Sequence, residues 1–245
     1  MVIMKDVRCT KHRLRCFKKS FFMRLLKCDL ELRQNINQQI SDFEAQELTL
    51  PEGGVPAAVA LIVTDLGHGA KLSGMPHYDK WMEDAALVLT RRSSKLKKHA
   101  GQWAFPGGRI DGAETPEETA IRETHEEIGL SLPESALIGR LDDFVTRSGF
   151  LITPVLFWAG PQDSFEINPD EVESIHRIPI SEFLREDAPM LDDTEGEGAP
   201  VLRMPVGDDW IAAPTAAIIY QFREVCILGR PTRVAHFDQP KFAWK

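Results

Sequence analysis

Apolar residues along this chain gather in short runs separated by segments rich in Gly, Pro, Asp and Ser. Runs at residues 57–64, 86–91, 136–146 and 152–158 have strand length, and each is bounded by turn-forming residues. Residues 168–178 read as a turn leading into a further strand, and residues 179–185 as a short helix. Residues 31–47 form a polar, Gln-rich helical stretch, and Pro51-Glu52-Gly53-Gly54 follows as a linker. Near the other end, Ala217, Ile218, Phe222 and Val225 fall on one face of a helix predicted over residues 214–228, with Cys226 in its core. Between these, residues 192–198 (DDTEGEG) are expected to form a mobile acidic loop. No internal repeat is visible. Strands alternating with helices predict an α/β fold, a mixed β-sheet covered by helices on both faces.

The segment GRIDGAETPEETAIRETHEEIGL, residues 108–130, adds a helix that carries its own start and stop signals. Thr115 is placed as N-cap with Glu118 as its capping-box partner, and Pro116 occupies the first helical position. Gly129 is positioned to end the helix in the left-handed conformation. The helix is therefore predicted over residues 116–128. Glu123, Glu126 and Glu127 lie at helical offsets 0, 3 and 4 and so share a face. Three carboxylates held together repel one another, and near a helix C-terminus the dipole does not relieve them. A divalent cation does, and hard oxygen donors suit Mg²⁺ or Mn²⁺. Immediately upstream, Phe105-Pro106-Gly107-Gly108 reads as a strand end followed by glycines that let the backbone pass close to a ligand.

Charge divides the chain. The net charge is −8, yet residues 1–33 contain ten Lys or Arg and three Asp or Glu, leaving −15 for the rest. Such an acidic body argues against nucleic-acid binding. No apolar run approaches the roughly 20 residues that span a bilayer, so stable membrane insertion is not expected. The basic N-terminus mixes its cations with Phe21, Phe22, Met23, Leu25 and Leu26; it reads as an extension, disordered or targeting, with a mitochondrial address as the alternative to a cytoplasmic one. The chain thus divides into residues 1–33 and a single domain over 34–245. Cys9, Cys16, Cys28 and Cys226 fit no zinc spacing and are expected as free thiols. His68 and His77 are expected to be solvated rather than metal ligands.

Residues 108–130 resemble the box of the Nudix hydrolase family, with Gly108, Glu114, Arg122, Glu123, Glu126, Glu127, Gly129 and Leu130 at its fixed positions. Thr124 departs from it, standing where an aliphatic residue is usual; its hydroxyl needs a partner if buried. The resemblance implies an α/β/α sandwich and hydrolysis of a nucleoside diphosphate linked to another moiety. It further implies metal ligation by Glu123, Glu126 and Glu127, with Arg122 and Glu114 shaping the metal-binding turn. Glu171, in NPDEVESI, matches a Glu-Val pair common in a later strand of the family and is the candidate additional ligand or base. Upstream, Val88-Leu89-Thr90-Arg91-Arg92-Ser93, Lys97, Gly101 and Phe105 to Gly108 resemble the signature of the coenzyme A pyrophosphatase branch, with Val88 for Leu and Lys97 for Arg. This implies substrate contacts from Arg91, Arg92, Lys97, Phe105, Gly107 and Gly108. Arg91, Arg92, Lys95, Lys97 and Lys98 would form a basic patch for the 3′-phosphate of coenzyme A. The expected partner is a small nucleotide substrate, coenzyme A or an acyl-coenzyme A, and a homodimer is left open.

Overall fold

The computed structural model describes residues 26–97, 99–192 and 200–240. Strand β1 (Val55–Gly67) is the centre of the main sheet. It runs parallel to β7 (Phe150–Gly160), Val55 opposite Phe150 and Ala57 opposite Ile152. On its other side, its second half pairs antiparallel with β2 (Met82–Arg92), and its first half pairs with β4 (Gly107–Arg109). Beyond its pairing with β1, strand β2 bonds β3 (Trp103–Ala104) instead. Strands β1 and β2 therefore splay apart, and the β3–β4 hairpin fills the gap. Along its other edge β2 pairs with β8 (Val172–Pro179), while β5 (Leu137–Arg140) and β6 (Phe144–Val145) pair with β7. The sheet is mixed, as expected.

Period-two alternation sorts β1 between two cores. Ala58, Ala60 and Ile62 face one side with Ala120 and Ile128 of helix α2 (Pro116–Ile128). Leu61 and Val63 face the other, against Ile36 and Ile40 of α1 (Leu30–Ser41) and Ile218 and Phe222 of α3 (Thr215–Phe222). Helices thus cover both faces, which gives the α/β/α layering.

Three features differ from the sequence reading. Helix α1 begins at Leu30, one residue ahead of the expected start, because the Asp29 carboxylate accepts from the Leu32 N–H at 2.9 Å as its N-cap. Leu26 ahead of it is buried, and Lys27 bridges to Asp84, so the boundary drawn at 33/34 falls inside packed structure; residues 1–25 lie outside the described residues. The helix stops at Ser41 rather than continuing to residue 47. Asp142 and Asp143 draw residues 46–48 into an irregular path by accepting from the Gln46 and Leu48 N–H groups at 2.8 and 2.9 Å. Third, a small sheet of β9 (Met190–Asp192), β10 (Val201–Val206) and β11 (Asp209–Ala212) precedes α3. Helix α3 itself relaxes into a π-turn over Arg223–Ile227 that buries Cys226. The acidic loop lies almost wholly within residues 193–199, outside the described residues.

Candidate active site

The predicted caps form. The Thr115 hydroxyl accepts from the Glu118 N–H at 3.2 Å, and the Glu118 carboxylate accepts from the Thr115 N–H at 2.7 Å. Gly129 closes α2 at φ 68°. With both ends fixed, the register of the helix against β4 is set, and Glu123 and Glu127 meet its two glycines. A Cβ on Gly108 would lie 2.1 Å from Glu123 Oε1, so only glycine leaves room for that carboxylate. Gly107, at φ 155°, lies so close to β1 that a Cβ would stand 2.3 Å from the Ala58 carbonyl oxygen. Helix α2 packs behind the sheet, and β4, lacking side chains at these two positions, lets its carboxylates reach the front.

Glu123, Glu127 and Glu171 present oxygens that all lie within 4.8 Å of one another. Glu171 arrives from the turn before β8. That turn is pinned by the Asn168 N–H donating to the Glu127 carbonyl at 3.0 Å and by the Ser93 N–H donating to the Glu171 carbonyl at 2.8 Å. Glu126, expected in the cluster, is not brought into it. Its side chain is 50% exposed and accepts from Arg122 Nη1 at 3.2 Å.

Arg122 organises the turn beneath. Its Nε and Nη2 donate to the two Glu114 oxygens at 2.8 and 3.0 Å, Nη1 donates to Glu123 at 2.8 Å, and Nη2 also donates to the Arg109 carbonyl at 3.2 Å. The Arg122 hydrogen bonds, helped by the Thr119 hydroxyl, hold the Glu114 carboxyl down at about 2. Burial pushes the other acids the opposite way. Glu123 is raised by desolvation, against the pull of Arg122, and Glu127 is raised to about 8, mainly by burial. Arg92 opposes that rise, while Glu123 and Glu171 add to it. Three carboxylates so close, one of them almost wholly buried, want a cation, and hard oxygens on two separate elements fit Mg²⁺ or Mn²⁺.

Beside the carboxylates opens a cavity of about 390 Å³. Arg92, Phe105, Gly107 and Gly108 line it, as the resemblance implied. Arg91 and Lys97 do not. The Arg91 guanidinium stacks 3.9 Å from the Trp103 ring centroid and pairs with Asp209. Lys97 is exposed away from the wall, and Lys95 pairs with Asp170 at 2.9 Å. Among the described residues of the expected basic patch, only Arg92 faces the cavity; Lys98 lies outside them. His68 and His77 are exposed and are not part of the lining. Sequence reasoning missed the remaining wall, which includes Trp103, Thr146, Ser148, Ile218 and Gln239. Trp103 alone had a signal, an aromatic inside the signature run. The Thr124 hydroxyl is buried with no hydrogen-bond partner, so the departure from the box costs a desolvated polar atom.

Comparison with known proteins agrees with the box. The NUDIX domain model matches residues 79–197. Nudix hydrolase 3 of Caenorhabditis elegans is 38% identical over 104 residues, covering 41% of this chain and 43% of that protein. A Nudix hydrolase named NudL from Yersinia enterocolitica is 40% identical over 103 residues, covering 42% of this chain and 53% of that one. The chain thus matches only about half the length of these curated relatives. Among solved structures, a MutT/nudix family protein from Enterococcus faecalis aligns over 88% of this chain and 76% of its own, with a TM-score of 0.48 and 17% identity.

Proposed function

We propose that this chain, whose residues 79–197 match the NUDIX domain model, is a metal-dependent pyrophosphohydrolase that cleaves the diphosphate of coenzyme A or an acyl-coenzyme A. The products are 3′,5′-ADP and 4′-phosphopantetheine or its acyl form. The observation that carries the hydrolase reading is the gathering of Glu123, Glu127 and Glu171 within 4.8 Å at the edge of a cavity that also holds Arg92. The coenzyme A reading draws its support from the signature residues Val88 to Gly108, of which Arg92, Phe105, Gly107 and Gly108 are on the cavity wall.

Glu123, Glu127 and Glu171 would hold the ion, with Glu126 an outer acid that steadies Arg122. Mg²⁺ or Mn²⁺ bound there supplies neutralisation of the diphosphate and a lowered pKa for water. Arg92 binds a phosphate oxygen, its charge opposing that of the neighbouring Glu127. Arg122 keeps Glu123 aimed at the site, and Glu114 keeps Arg122 in place. Glu171, on a short turn rather than the box helix, is the carboxylate best placed to take a proton from water. The same reading gives the enzyme a cytoplasmic setting. Deleting residues 1–25 and following both location and activity tests it against a targeting role for the basic segment.

Mass analysis of products formed from coenzyme A in ¹⁸O-water with Mg²⁺ tests the activity, because it reports both the substrate and the phosphorus attacked. A panel with ADP-ribose, NADH and dinucleotides accompanies it. Far faster turnover of one of these would replace the coenzyme A reading with another nucleoside diphosphate derivative. Unchanged activity in Glu127→Gln would leave the domain as a binding module.

A further inference from the structure

We propose that the cavity has a second, uncharged half, built by the β6–β7 turn and the C-terminal segment, and that it selects a neutral, partly apolar group attached to the diphosphate. This rests on the hydrolase reading and goes beyond it by naming residues and a chemistry for the second half.

Strand order sets the distance. At the level of the box, β4, β1 and β7 lie side by side, Arg109 opposite Ala57 and Ala57 opposite Ile152. With neighbouring strands about 4.8 Å apart, crossing from β4 to β7 takes about 10 Å. The carboxylates and Arg92 occupy the β4 side. That floor is longer than a diphosphate group, so it leaves room for part of a diphosphate ester bound at the carboxylates to extend toward β7.

What waits there carries no formal charge. Phe150 and Ile152 of β7 and Ile218 of α3 are the apolar wall, and Thr146, Ser148 and Gln239 are its polar rim. The nearest cation of the lining, Arg109, is exposed on the β4 side, 5.7 Å from the Phe150 ring centroid. Arg147, next to the rim, is held by two hydrogen bonds to Asp238 at 2.7 and 2.8 Å. Beyond the reach of Arg109, an anionic group would lose its hydration at this wall without gaining a counter-charge. A neutral one loses little and covers Ile152 and Ile218.

The wall is fixed rather than loosely draped. Gln239 donates to the Val145 carbonyl at 3.2 Å and accepts from the Arg147 N–H at 3.1 Å. The Thr215 hydroxyl donates to the Trp103 carbonyl at 3.2 Å, tying α3 to the hairpin that carries the glycines. Ile218 and Gln239 both follow residue 197, where the NUDIX match ends, so part of this wall comes from sequence outside the matched segment.

The test compares two synthetic esters of ADP, one ending in a hexyl chain and one in a 5-carboxypentyl chain. Turnover is followed with Mg²⁺ and calorimetric binding with Ca²⁺. Wild type is expected to favour the hexyl ester at least tenfold in kcat/KM, mostly through KM. Ser148→Lys, at an exposed rim position, should raise affinity for the carboxylated ester about tenfold. Ile218→Ala should weaken the hexyl ester several-fold and leave kcat nearly unchanged. Equal use of both esters by wild type, or equal effects of Ser148→Lys on both, overturns the neutral chamber while leaving the hydrolase. Selective binding without turnover overturns the hydrolase and leaves the chamber. Failure to bind either ester overturns both.

Discussion

Replacing Glu127 by Gln should stabilise the metal-free protein, increasingly so as pH rises. Burial lifts this carboxyl from its ordinary 4.5 to about 8, with Arg92 pulling down and Glu123 and Glu171 pushing further up. An unfolded chain gives up the proton near pH 4.5, and the folded chain holds it until about pH 8. In that window the folded state binds more protons, so stability falls with pH. The penalty is absent below 4.5 and complete above 8. At pH 7 the window crossed is about 2.5 pH units at about 1.36 kcal/mol each, or about 3 kcal/mol. Gln does not titrate, and its carbonyl oxygen can still accept from the Gly107 N–H, a 3.4 Å contact in the native site. Urea unfolding of both proteins in EDTA, from pH 4.5 to 8, measures the effect. The variant's advantage over wild type should grow by about 3 kcal/mol between pH 4.5 and 7. Mg²⁺ should then stabilise wild type more than the variant. An advantage that stays constant across the pH series would refute the reasoning, because a buried carboxylate must show its charge as a pH slope.

Gly108→Ala would set a methyl 2.1 Å from Glu123 Oε1; displacing that carboxylate should cost about 100-fold in kcat, with circular dichroism unchanged. Arg122→Lys keeps the charge but loses the fork shared by Glu114 and Glu123, and should lower kcat tenfold or more with KM little altered. An unaltered kcat would make Arg122 a bystander. Thr124→Val replaces a buried, unpartnered hydroxyl with a methyl and should raise the unfolding free energy by about 1 kcal/mol in a urea titration; a loss would mean that the hydroxyl has a partner.

The box helix was legible because its information is local. Thr115, Glu118 and Gly129 fix its ends wherever it packs. The split among its acids was not, since sharing a helical face says nothing about what that face meets. At about 100° per residue, Glu127 lies roughly 40° from Glu123 on one side and Glu126 roughly 60° on the other; β4 covers only the first. The basic run failed similarly. A register shift in the pairing of β2 with β8 falls between Arg91 and Arg92, and Arg92 reaches the cavity while its neighbour Arg91 stacks on Trp103. Strands β9 to β11 escaped notice because they span three, six and four residues, with Pro205 inside β10. The neutral wall had no local signal, since Gln239 and Thr146 meet only through the fold.

The central position of β1 also sets an order of events during synthesis. Its antiparallel partner β2 follows closely, Val63 meeting Leu87, but its parallel partner emerges nearly a hundred residues after it, Val55 meeting Phe150. At roughly 5–20 residues per second, the ribosome leaves that edge open for about 5–20 s. During this interval Ala58, Ala60, Leu61, Ile62 and Val63, fully buried in the finished molecule, belong to a strand with one row of backbone groups unpaired. Such an edge invites pairing with another nascent chain. Ribosome-bound chains stopped before residue 150 should therefore be the aggregation-prone species and the ones chaperones hold, and release should coincide with the emergence of β7.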